Sequence, residues 1–345
     1  MRDFMCGKCG QRLSFENSVC LSCGGALGFH LPSRTLLVLD ERDTVTVEGL
    51  RWQRCGNLRA AECNWLTNAT DGSGGALCRS CRLTRTRPAD LDSEAMTHFA
   101  EAEMSKRRVI LELDELGLPI VGRDENPGRG LAFDLLSSAD EEVMTGHEDG
   151  LITLDLAESD DVHREQLRVS MAEPYRTLVG HFRHELGHYY QQVLVDDGAR
   201  AARFEALFGN AEQDYEAALD RNYRVGPPPE WPDHFVSSYA AMHPVEDWAE
   251  TFAHYLHIRE TIDTAAAFTI APAGTRLDAP LPGNTGFDRL IDCWLPLSWA
   301  LNQINRSMGH RDLYPFVLAP AVLDKMRFIH ELIDLSKASN RRQPV

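Results

Sequence analysis

The stretch PYRTLVGHFRHELGHYYQQVL runs from Pro174 to Leu194 and contains His184-Glu185-Leu186-Gly187-His188. On a helix, residues four apart stand one above the other, so His184 and His188 can reach one metal ion while Glu185 projects beside them as a base. Leu178, Phe182, Leu186, Tyr189 and Val193 recur at helical spacing and predict a buried stripe along the same helix. Pro174 suits its first turn and Asp196-Asp197-Gly198 supplies a stop.

A zinc ion that does chemistry takes three protein ligands and keeps one position open, so a third ligand is required. A third His six residues after His188 would make the site a metzincin, but that position is Leu194, and Gln191 stands where Gly is needed. The next informative stretch is Phe235 to His257, FVSSYAAMHPVEDWAETFAHYLH. In a helix starting near Pro244, Trp248, Phe252, Tyr255 and Leu256 form an apolar stripe, while Glu246, Glu250 and His254 stack on another face. Glu246 is the expected third ligand, with His243, His254 and His257 as alternates. Glu250, one turn on, is placed to accept from the free N–H of a ligand histidine.

The N-terminal part has a different chemistry. Eight of the nine cysteines lie within the first 81 residues. Cys6-Gly-Lys-Cys9 and Cys20-Leu-Ser-Cys23 are two knuckles separated by ten residues, and Cys55, Cys63 and the Cys78-Arg-Ser-Cys81 knuckle make a second set. Two closed four-thiolate zinc sites, one per set, are expected to fold this region without catalysing anything. Iron in place of zinc and ligation interleaved between the sets remain open on the spacing alone. Cys293, in an apolar helical pattern, reads as a plain buried thiol.

The chain has 345 residues, 43% of them hydrophobic, and a net charge of -17. Residues 1–89 hold 12 Lys or Arg against 8 Asp or Glu, a balance of +4, which leaves -21 for the remainder. That acidity argues against broad nucleic-acid binding, because phosphate neutralisation dominates such affinity. No apolar run approaches the roughly 18 residues of a membrane span, and MRDFMCGKCG is no signal segment. A cytoplasmic protein is expected.

The expected architecture is α+β: an N-terminal zinc-ribbon region over 1–89, a mainly helical zincin-like domain with a small β-sheet over 90–338, and a disordered tail over 339–345. The periodicities predict a helix over 91–116, a strand over Leu131–Leu136, a hairpin within 143–156 and a short helix over 161–173. Further helices are expected over 201–223, over 286–309 with a kink at Pro296, and over 319–335.

HELGH followed after 57 residues by EDWAETFAHYLH resembles the gluzincin pattern, HExxH plus ExxxE on a later helix. More narrowly, GHFRHELGHYY, SSYAAMHPVEDWAETFAHYLH and the N-terminal cysteines resemble the bacterial family of zinc-binding metallopeptidases with an N-terminal zinc ribbon. Within gluzincins the pattern is similar to the anthrax-lethal-factor type. That resemblance implies Glu246 as the zinc ligand and Tyr239, seven residues earlier, as a donor to the oxyanion. The expected activity is peptide-bond hydrolysis, with Glu185 as general base and the strand near Leu151–Leu156 lying along an extended substrate. The rival expectations are a non-catalytic zinc-ribbon adaptor that binds a protein partner and a SprT-like protease acting on DNA-bound proteins. The charge distribution weighs against the latter.

Overall fold

The computed structural model describes residues 1–69, 75–138, 143–159, 177–195, 198–272 and 286–340. The helix expected over 161–173, Pro174 and the tail beyond Asn340 lie outside these residues. Helices and sheets are both substantial, as expected of an α+β chain. By compactness the chain forms two units, one of residues 1–111 with 121–169 and one of 112–120 with 170–345. Among the described residues no helix is long and apolar enough to cross a membrane.

The first unit begins with the ribbons. Strands β1 (Phe4–Met5) and β2 (Arg12–Leu13) pair antiparallel on either side of the first knuckle. Each of the first two knuckles ends on a glycine that takes the positive φ the turn requires: Gly10 and Gly24 donate to the carbonyls of Cys6 and Cys20 at 2.9 and 2.8 Å. Strands β3 (Leu27–His30) and β4 (Thr35–Val38) form a second hairpin, and β5 (Thr44–Val47), β6 (Leu50–Arg54) and β7 (Leu66–Asn68) a three-stranded sheet. A cluster of aromatic rings substitutes for a large core here. Phe15 and Phe29 meet edge to face at 4.9 Å and Trp65 lies 5.3 Å from Phe29, all three fully buried.

Next come β8 (Thr84–Thr86) and the helix α1 (Ser93–Leu116), whose last turns count with the second unit. Strands β9 (Ala132–Leu136), β10 (Gly146–Glu148) and β11 (Leu151–Asp155) complete a four-stranded sheet in the order β10-β11-β9-β8. The hairpin β10–β11 is as expected, but the role foreseen for its second strand is not. Leu151–Thr153 pair with Glu148–Gly146 on one side and with Ala132–Asp134 on the other. Both edges of that stretch are taken, so it cannot hydrogen-bond an extended substrate.

The second unit is helical. Helix α2 (Leu178–Leu194) carries HELGH and is capped by Thr177, whose hydroxyl accepts from Gly180 N–H at 3.0 Å. The single helix foreseen over 201–223 is two, α3 (Gly198–Phe208) and α4 (Tyr215–Val225), divided at Gly209, whose φ is 102°. A short α5 (Trp231–His234) leads to α6 (Pro244–Ala267), and α7 (Phe287–Ser307) continues through Pro296. Helix α8 (Pro320–Asn340) extends past the expected Leu335.

The pair α2 and α6 holds the unit together. A Cβ built on Gly187 would meet the Ala249 Cα at 2.8 Å, so the backbones touch where the motif has its glycine. Around that point Trp248 donates its indole N–H to the Gly187 carbonyl at 2.8 Å, and Tyr190 stacks on Phe252 at 5.5 Å. Lys325 of α8 pins the start of α6, reaching Asp247 Oδ2 at 2.6 Å and the His234 carbonyl at 2.8 Å.

Candidate metal centre

Helical spacing sets the His184 and His188 rings 5.0 Å apart on α2. The first turn of α6 crosses over them and brings Glu246, 58 residues beyond His188 in the chain, to within 3.1 Å of His184 Nε2 and 3.5 Å of His188 Nε2 through a single oxygen, Oε2. Zinc bonds of about 2.0–2.1 Å in a tetrahedron separate neighbouring ligand atoms by about 3.3 Å, so this set fits the ion. A second observation agrees: Glu246 Oε2 is buried and faces the two Nε2 atoms, so a cation or a proton among these three atoms is needed to offset its burial. Glu185 is also buried at 6% exposure, and its Oε2 is unpartnered, leaving an acceptor free on a carboxylate beside the ligands.

The surroundings orient these side chains. His184 Nδ1 donates to Glu250 Oε1 at 2.8 Å, which leaves Nε2 as the nitrogen a metal could take in exchange for a proton. The other Glu250 oxygen accepts from the Ser237 hydroxyl at 2.6 Å. Burial alone would lower the basicity of His184, but the Glu246 and Glu250 carboxylates outweigh it and hold the ring well above its usual value. In the same exchange burial works to raise both carboxylates, and the histidines hold Glu246 and Glu250 well below the normal range. A proton therefore competes for this site in the absence of a cation.

Two tyrosines complete the rim. Tyr239 lies with its ring 6.0 Å from that of His184. Burial, with the Glu246 charge and Tyr215 adding to it, pushes its hydroxyl well above the ordinary tyrosine value, so it stays a proton donor. Tyr215, at the start of α4, donates to Glu246 Oε1 at 3.0 Å.

The alternate ligands of the sequence reading sit elsewhere. His243 caps α6, accepting from Val245 N–H through Nδ1 at 3.3 Å, while its Nε2 donates to the Gln213 carbonyl at 3.2 Å. His254 pairs its Nδ1 with the Tyr314 hydroxyl at 2.8 Å, and its burial lowers it to about 4. His257 packs edge-on against Trp294 and beside Tyr314. Ser237 and Tyr215 went unread in the sequence. Ser237 stands two residues before Tyr239 in SSY, but nothing in that spacing announces a hydroxyl aimed at Glu250.

The cysteines gather in the two sets read from their order, Cys6, Cys9, Cys20, Cys23 and Cys55, Cys63, Cys78, Cys81, without interleaving. All are free thiols, with Cys6–Cys23, Cys9–Cys20 and Cys63–Cys78 separated by 3.8, 3.6 and 3.6 Å. Zinc–sulfur bonds of about 2.3 Å give a tetrahedral edge of about 3.8 Å, whereas a disulfide needs about 2.05 Å. The Cys78 N–H also donates to Cys55 Sγ at 3.2 Å, the backbone support a thiolate ligand requires.

Residues 95–332 match the family model described as "Putative zinc-binding metallo-peptidase", and residues 3–92 match a zinc-ribbon domain. Proteins described as uncharacterized from Mycobacterium tuberculosis (strain ATCC 25618 / H37Rv) and Mycobacterium bovis are each 60% identical over 336 residues, 97% of this chain and 96% of theirs. No solved structure matches the chain significantly. A family model that spans the whole HELGH-to-Glu246 arrangement, and a ribbon model that spans both cysteine sets, lead to one assignment: this chain belongs to the zinc-binding metallo-peptidase family and carries an N-terminal zinc ribbon.

Proposed function

We propose that the chain is a zinc-dependent peptidase with one catalytic zinc, held by His184, His188 and Glu246, and two structural zincs held by the cysteine sets. The observation that carries this reading is Glu246 Oε2, buried and directed at both Nε2 atoms at ligand-to-ligand distance. When bound, zinc supplies Lewis-acid polarisation of the scissile carbonyl and a more acidic attacking water. The chain does the rest. Glu185 takes the proton of the attacking water through its free Oε2 and returns it to the leaving amine. Tyr239 donates to the oxygen on which negative charge develops, and its strongly raised ionisation keeps that donor protonated. Glu250 holds the His184 ring in the ligating tautomer.

In this reading residues 1–89 are the ribbon region and 90–338 the peptidase. Closed four-thiolate sites offer no position for substrate, so the ribbons serve folding and the docking of protein partners. The substrate is a peptide or protein.

Incubation of the zinc-loaded wild type and Glu185→Gln with a peptide library, followed by mass spectrometry, tests the reading. The wild type should cleave, and Glu185→Gln should keep its zinc while losing at least about a hundredfold in rate. Equal turnover by the two would remove Glu185 from the chemistry.

A further inference from the structure

The Glu246 carboxylate is asymmetric. Its Oε2 faces the two histidines, and its Oε1 accepts the Tyr215 hydroxyl at 3.0 Å. A carboxylate can hold zinc through one oxygen or chelate it through both, and chelation uses up a coordination position. A hydrogen bond on one oxygen biases that choice.

Tyr215 does not reach this place by a loose surface contact. The segment before it is seated on the start of α6 at two points. The Gly209 position lies so close that a Cβ there would come 3.3 Å from the Pro244 ring, and the Gln213 carbonyl accepts from His243 Nε2 at 3.2 Å. His243 simultaneously caps α6 through Nδ1, so one imidazole ties the approach to α4 to the turn that presents Glu246. Asp214 then caps α4, accepting from Ala217 N–H at 3.0 Å, and sets Tyr215 as its first residue. The Tyr215 ring lies 5.3 Å from the His243 ring, at an interplanar angle of 63°. The ring is thus supported on one side while the residue stays 38% exposed. Such support is what orients a hydroxyl toward a chosen atom.

We propose that Tyr215 is a positioning residue of the metal centre: by holding Glu246 Oε1 it confines ligation to Oε2 and so keeps a coordination position available to water and substrate. This rests on the assignment of His184, His188 and Glu246 as a zinc site. Tyr215 thereby differs from Tyr239. Tyr215 acts on the ligand and Tyr239 on the reacting oxygen, although each hydroxyl perturbs the other's ionisation.

The test is Tyr215→Phe in the full chain, which keeps the ring and its contact with His243 and removes only the hydroxyl. The zinc bound by His184, His188 and Glu246 is the increment over His188→Ala, and chelator competition gives its dissociation constant. Tyr215→Phe should weaken that constant about tenfold or more, the usual effect of losing a hydrogen bond to a metal ligand. Cobalt(II) placed in the same site should lose visible-band intensity as a fifth ligand atom enters. Tyr223→Phe, on the same helix at 71% exposure, is the control that should change neither. An unchanged constant together with an unchanged cobalt spectrum in Tyr215→Phe would overturn the proposal. No zinc increment of wild type over His188→Ala would instead overturn the metal centre itself, and the role of Tyr215 with it.

Discussion

Gly187 sits between the two histidines because the Ala249 backbone stands where a side chain would be. Gly187→Ala should push α2 from α6, costing about 1–3 kcal/mol in stability and lowering zinc affinity as Glu246 withdraws from the histidines. Thermal melts and zinc titration of the same samples check both, and a variant as stable as wild type with full affinity would contradict the close approach. His184, Glu185 and His188 were legible because one turn of helix fixes their relation. Glu246 was legible too, since the second stretch has its own period and needed only the rule that zinc takes a third ligand. Tyr215 and Ser237 were not, because their contacts with Glu246 and Glu250 are settled by how separate helices pack, and no spacing along the chain encodes that.

At the scale of elements, the position of α6 decides whether the site exists, and Lys325 holds that position from α8. Burial pushes the Asp247 carboxyl up to about 7 against the pull of Lys325, so the pair is poised. Lys325→Met would leave Asp247 buried without its cation, costing about 3–5 kcal/mol when the carboxylate is charged. A folded value above the unfolded one means the native state keeps its proton longer, so the variant's stability falls as pH rises from about 4 through the folded value. Lys325→Met should therefore be closer to wild type at pH 5.5 than at pH 8 in denaturant melts, and a deficit constant across that range would contradict it. Thr177 caps the start of α2, and Gly209 breaks the helix foreseen over 201–223 with a backbone that most residues avoid. The strand Leu151–Asp155 alternated correctly, yet its partner on one side is the parallel strand Ala132–Leu136. With Glu148–Gly146 on the other side, that pairing leaves no edge free for a substrate along Leu151–Thr153, and parallel pairing across a long connection leaves no local signal.

Across the whole molecule the chemistry is divided by charge and by ligand type. Thiolate sites gather in residues 1–81, whereas the imidazole and carboxylate site lies in a stretch whose surroundings carry the -21 balance. Each four-thiolate zinc site would carry a formal charge of about -2, so two of them would offset the +4 of residues 1–89. The cysteine sets were legible almost in full, since knuckle spacing is local. Their assignment to two separate sites required the fold, which brings Cys55 and Cys63 to Cys78 and Cys81 rather than to the first set. The central claim is that the chain holds a third metal site built from α2 and α6. Zinc content per chain, measured on the full-length wild type and on Glu246→Ala after exhaustive dialysis, tests it most directly. The account predicts three zinc ions in the wild type and two in Glu246→Ala, and equal content in the two proteins would contradict it.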